Sequence, residues 1–117
     1  MSSSRETGLF GEQKAREFLE AQGHVVLFSN WRCRLGEIDL ITLHQRRVHL
    51  VEVKTRRGIG AGHPLEAIHR KKLLKLQQLA ESWLKHFPEY RDRLQIDAIA
   101  VQVGRDAYSI DHIQAIG

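Results

Sequence analysis

The feature that most constrains this chain is a pair of apolar, β-branched runs, LGEIDLITL at 35–43 and VHLVEVKTR at 48–56, separated by four polar residues. Short runs of this composition read as strands, and the brief link predicts an antiparallel hairpin. Alternate residues of a strand share a face. Glu37, Asp39 and Ile41 are therefore expected on one face, with Ile38, Leu40 and Thr42 on the other. On the second strand Leu50, Glu52 and Lys54 share a face, opposite Val51 and Val53. If Leu43 faces Val48, Asp39 lies opposite Glu52 and Glu37 opposite Lys54. Directly opposed Cβ atoms stand roughly 4.5–5.5 Å apart, so both carboxylates reach a single cation. A slip of one residue would separate the two sets.

Neighbouring carboxylates each raise the cost of ionising the other, and a divalent cation removes that conflict. Mg²⁺ or Mn²⁺ is the expected cofactor, because carboxylate and water oxygens suit these ions. Such an ion orients and deprotonates a water and stabilises charge developing on a phosphodiester. Lys54, two residues beyond Glu52, would hold its ammonium beside that water or phosphate. A second reading stands beside this one, in which Glu37, Asp39, Glu52 and Lys54 form a cross-strand ion-pair ladder on a solvated face. The surrounding segments, IDLI and LVEV, are strongly apolar and look like central sheet. Carboxylates buried there without a partner are costly, which favours a metal site.

Elsewhere the elements are plain. Gly11, Ala15, Phe18, Leu19 and Gln22 follow the rhythm of one helix face, with Ser4 or Thr7 as a cap and Gly23 as a stop. HVVLFSNW at 24–31 reads as a strand. Gly58, Gly60 and Gly62 open a loop, and Pro64 sits near the first turn of a long helix. The apolar face of that helix is Ile68, Leu73, Leu76, Leu79, Ala80, Trp83, Leu84 and Phe87, and Pro88 ends it. LQIDAIAVQV at 94–103 is a further strand, and 108–113 a short last one. The expected fold is α/β, a mixed sheet of four or five strands flanked by helices in the order αβββαβ(β), as one domain over 1–117.

The 18 basic residues outnumber the 14 acidic ones, and half of them fall between His44 and Lys75, about a quarter of the chain. This is the footprint of a surface that meets a polyanion, although a solvated face has the same composition. Arg56, Arg57 and Lys72 are the candidates for phosphate contact. A lone cysteine, Cys33, permits no internal disulfide and suits a reducing cytoplasm. No apolar run approaches the length of a membrane span or a signal-peptide core, so a cytoplasmic protein without membrane partners is expected. The seven histidines show no C-x-x-C or H-x-x-x-H spacing, so no structural zinc is expected. Asp97, on an apolar strand, is expected to support the fold by hydrogen bonding, and Trp31 and Trp83 to belong to the core.

A strand ending in Asp, then a hairpin, then E-x-K on its partner resembles the core of the PD-(D/E)xK nuclease superfamily, with its restriction-endonuclease-like fold. Asp39, Glu52 and Lys54 stand in the motif positions, and Ile38 replaces the motif's proline. Across nearly its whole length the chain resembles the YraN family of uncharacterised bacterial proteins. The stretches that carry this are GEQKAREFLEAQGHVVLFSNWR, GEIDLI, LVEVKTR, the glycine loop and KKLLKLQQLAESWL, with Asp97 on the late strand. That family is similar to archaeal Holliday-junction resolvases, in which a glutamate of the first helix joins the metal site. The resemblance implies that role for Glu12, a phosphate role for Lys72, and a homodimer, since two strands must be cut. It implies a metal-dependent endonuclease acting on DNA, branched or otherwise processed. The alternative is a nucleic-acid-binding module that keeps the nuclease fold without its chemistry.

Overall fold

The computed structural model describes residues 4–58 and 68–117. Helix α1 (Ser4–Ala21) leads into β1 (Val25–Cys33), β2 (Gly36–His44) and β3 (Arg47–Arg57). Helix α2 (Arg70–Leu84) and a 3₁₀ turn (Pro88–Tyr90) precede β4 (Leu94–Val103) and β5 (Tyr108–Ile113). The strands form one sheet in sequence order. Neighbours are antiparallel except β3 and β4, which run parallel because α2 lies between them in the chain. The expected α/β order, including the fifth strand, is the one observed.

Two apolar clusters cover the two faces. Ala15 and Leu19 of α1 pack with Leu40, Val51, Val53, Ile99 and Val101. Leu76, Leu79 and Trp83 of α2 pack with Ile38, Ile41, Leu50 and Ile96. Being covered on both sides, β3 and β4 are apolar almost throughout, as central strands must be. Trp83 is fully buried and Trp31 packs against the same cluster.

The crossing of α1 over the sheet is set by Gly11, where a Cβ would fall 1.8 Å from the Thr55 Oγ1 of β3. Only glycine lets the helix approach so near. The helix ends as Gly23 predicts. Gly23, at φ 98°, donates to the Glu20 carbonyl and His24 to the Leu19 carbonyl, the paired bonds of a Schellman stop.

Several boundaries differ from expectation. Thr7 is not a cap; it lies inside α1, buried, and its hydroxyl accepts from Arg57 Nε at 3.4 Å. Strand β1 starts after His24 and runs on to Cys33. Helix α2 ends at Leu84, and Phe87 reaches the core from the turn beyond it. Gly60, Gly62 and Pro64 lie outside the described residues. Among the described residues no helix is long and apolar enough to cross a membrane.

Candidate metal centre

The hairpin register is the expected one, with Leu43 opposite Val48, Thr42 opposite His49 and Leu40 opposite Val51. Beyond Leu40 the β2–β3 ladder stops, and strict alternation stops with it. Ile38 and Ile41, three residues apart, both join the α2-side cluster, so β2 changes the face it presents between them. Its other neighbour is irregular in the same region: β1 has a register shift between Val26 and Phe28, and Asn30 takes φ 53°. Bulges of this kind re-aim side chains beside functional sites. Glu37 is consequently not paired with Lys54; it forms an ion pair with Arg32, at 2.9 Å.

Asp39 sits at the divergence. Its Oδ2 accepts the Val53 backbone N–H at 2.8 Å, beyond the last β2–β3 pair at Leu40 and Val51. This bond holds the carboxylate between the strands, beside Glu52. Glu12, one residue past the close approach at Gly11, extends from α1 toward the same point. Ligand oxygens of Glu12, Glu37 and Asp39 all lie within 4.8 Å of one another. Asn30 Nδ2 donates to Glu12 Oε1 at 3.4 Å, and Glu12, Asn30 and Asp39 line a cleft of about 170 Å³.

The electrostatics follow from this crowding. Burial, then the hydrogen bond and charge of Glu52, push the Asp39 carboxyl up to about 9, against the Val53 bond that opposes the rise. Burial followed by the charges of Glu37 and Glu52 raises Glu12 above the ordinary carboxylate range. Glu52 is 4 % exposed and faces α2, whose Lys72 Nζ stands 2.7 Å from its Oε2. That oxygen is buried and accepts no aligned hydrogen bond among the described residues, so the contact is Coulombic. A buried oxygen lacking a hydrogen bond, next to two carboxyls resisting ionisation, fits a hard divalent cation well. Glu12, Glu37 and Asp39 offer oxygens close enough together to share such an ion, and Glu52 adjoins them through Asp39.

The remaining predicted residues sort by position. Lys54, half-buried, follows Glu52 along β3 and forms no ion pair among the described residues. Arg56 and Arg57 are exposed at the end of β3. Lys72, expected at phosphate, is engaged with Glu52 because α2 crosses the face of β3 that Glu52 occupies. The linear run of basic residues divides in the fold. Lys71 and Lys75 border the same surface groove as Lys72, whereas Arg47 pairs with His44 at the far end of the hairpin. Asn30 escaped the sequence reading. Its signal was an asparagine, a residue that tolerates the left-handed conformation, inside an otherwise β-forming run.

Asp97 supports the fold as expected. Fully buried, it accepts from His49 Nδ1 at 2.7 Å, His112 Nε2 at 2.8 Å, Gln95 Nε2 at 2.8 Å and the Ala115 N–H at 3.0 Å. Burial works to raise its carboxyl, but these donors outweigh it and hold the group well below the usual range.

The model of the uncharacterised protein family UPF0102 matches residues 11–101, a span that contains every carboxylate of the cluster. A UPF0102 protein of Clavibacter michiganensis is 44% identical over 101 residues, 86% of each chain. One of Renibacterium salmoninarum is 37% identical over the full length of both chains. One of Mycobacterium ulcerans is 41% identical over 94% of this chain and 93% of its own.

Proposed function

We propose that this chain, which belongs to the uncharacterised protein family UPF0102, is a metal-dependent endonuclease that hydrolyses phosphodiester bonds of DNA. The observation that carries the reading is the cluster of Glu12, Glu37 and Asp39 oxygens within 4.8 Å of one another, with Glu52 hydrogen-bonded to Asp39 and Asp39 driven toward its protonated form. Such a cost is tolerated where function needs it. Bound among these oxygens, Mg²⁺ or Mn²⁺ would supply Lewis acidity toward the scissile phosphate and lower the pKa of a water. Glu12, on α1 at the edge of the sheet cluster, is placed to orient that water or take its proton. Lys54 supplies positive charge for a non-bridging phosphate oxygen. Exposed Arg56 and Arg57, with Lys71 and Lys75, supply a path for the backbone on either side. A double-strand substrate would require two copies of the chain, and a homodimer is part of the proposal.

Purified protein incubated with linear, flapped and four-way DNA plus Mn²⁺ tests this directly. Cleavage is expected, falling about 100-fold or more in Asp39→Asn. Equal cutting by both proteins would reject the site.

One observation favours a second reading, a nucleic-acid-binding module without chemistry. The Lys72 ammonium already neutralises Glu52 at 2.7 Å. In that case DNA binds but stays intact with Mn²⁺ present, and Lys72→Met does not restore cutting.

A further inference from the structure

We propose that His24, His44 and His49 form a second metal site, for a transition-metal ion of the Zn²⁺ type, at the hairpin end of the sheet and separate from the carboxylates. One ring nitrogen from each of the three lies within 4.8 Å of the others. They line a polar cleft of about 330 Å³, together with His112, Gln95 and Gln114. Thr42 and His49 each stand three residues along their strand from Asp39 and Glu52, so the two sites are about 10 Å apart at a strand's rise per residue.

Hydrogen bonds hold two of the rings in place. His49 donates Nδ1–H to Asp97 at 2.7 Å, so Nε2, directed away from that carboxylate, is the ring nitrogen left for an ion. A carboxylate behind an imidazole in this way fixes the tautomer and raises ligand basicity. His24 Nδ1 is hydrogen-bonded to Thr42 Oγ1 at 2.7 Å, which holds its ring in place, and Nε2 is the ligand atom in the tautomer whose Nδ1 donates to that hydroxyl. The His44 ring stacks on His24 at 4.3 Å and an interplanar angle of 11°. Half-buried at the end of β2, His44 is the ligand with room to turn onto an ion. Arg47, also at the cleft, is exposed, so its charge is screened by water.

Imidazole donors select Zn²⁺, Ni²⁺ or Cu²⁺ over Mg²⁺, so this site does not compete for the ion of the carboxylate centre. Three histidines leave a fourth tetrahedral position open to water. The ligands come from the stop of α1, the end of β2 and β3, so an ion there ties three segments together. No sequence motif announces this, because the spacing 24, 44, 49 arises only when the hairpin folds back on the helix stop.

The test is calorimetric titration of metal-free, untagged protein with Zn²⁺ alone, in wild type, His44→Ala and Asp39→Asn. The half-buried His44 can be replaced with the least risk to folding, which circular dichroism checks. One Zn²⁺ should bind wild type and Asp39→Asn alike, and His44→Ala should bind at least about tenfold more weakly, the lower limit for losing even an orienting partner. Zn²⁺ should raise the melting temperature of wild type and not of His44→Ala. Equal affinity in wild type and His44→Ala, or loss of binding in Asp39→Asn, would overturn the proposal. Neither outcome depends on DNA cleavage, so this site and the nuclease reading fail separately.

Discussion

Asp39 concentrates the chemistry of the centre in one side chain. Its carboxyl replaces a ladder partner for Val53 and faces Glu52, so the folded state holds its proton up to about pH 9, while the unfolded chain releases it near 3.8. Between those values the native state binds more protons than the unfolded one, so stability falls as pH rises. Metal-free protein should therefore lose stability from about pH 4 toward pH 9. Asp39→Asn should flatten that slope and be more stable near neutrality by on the order of 1 kcal/mol, its amide donating to Glu52 where the shared proton stood. Urea unfolding at several pH values, with EDTA present, measures this. The closeness of Asp39 to Glu52 was legible in the sequence because charge interrupts two apolar strands at positions that a short hairpin brings near each other, although the ladder expected to pair them ends one step earlier, at Leu40 and Val51. The faces of Glu37 and Ile38 were not legible, since strict alternation fails once β2 leaves β3. Glu12 was reached only through resemblance, because nothing local marks which helix glutamate will meet a sheet.

Among the elements, the two helices deliver what the strands cannot. Helix α1 carries Glu12 to the centre by crossing β3 at Gly11, with no space for a methyl group over Thr55. Gly11→Ala should cost about 1–3 kcal/mol, the range for overpacking, despite the better helix propensity of alanine. It should also weaken Mn²⁺ binding by displacing Glu12. An unchanged denaturation midpoint would show that the helix is not seated by this contact. Helix α2 brings Lys72 to Glu52. Lys72→Met removes the ammonium beside buried Glu52, at a cost on the order of 1–2 kcal/mol, reduced because Lys72 is about one-third exposed. Mn²⁺ should then raise the melting temperature more in Lys72→Met than in wild type. The apolar periodicities of both helices were visible in the sequence. Their crossing positions were not, because these depend on tertiary contacts such as Gly11 on Thr55.

For the molecule as a whole, charge distribution separates binding from chemistry. The basic stretch read along the chain is two groups in the fold, one at the histidine end and one around the carboxylates. If Arg56, Arg57, Lys71 and Lys75 each contact a phosphate, log affinity should fall with log salt at a slope of about −3.6, from about −0.9 per contact. Lys71→Glu with Lys75→Glu should make that slope shallower by about 2 without altering metal binding. Fluorescence anisotropy on a labelled duplex from low to moderate salt reads both. The order of elements and the five-stranded sheet were open to sequence reading because both faces of β3 and β4 are covered. The meeting of three histidines was hidden, because their ring positions are fixed by the α1 stop and the Asp97 hydrogen bonds rather than by spacing.

The decisive measurement is an anomalous difference map from crystals soaked in MnCl₂. The expected result is a peak within coordination distance of Asp39, Glu52 and Glu12 oxygens, with Lys72 displaced from Glu52. A map with no peak there, and with the Lys72–Glu52 ion pair unchanged, would contradict the assignment of this cluster as a metal centre.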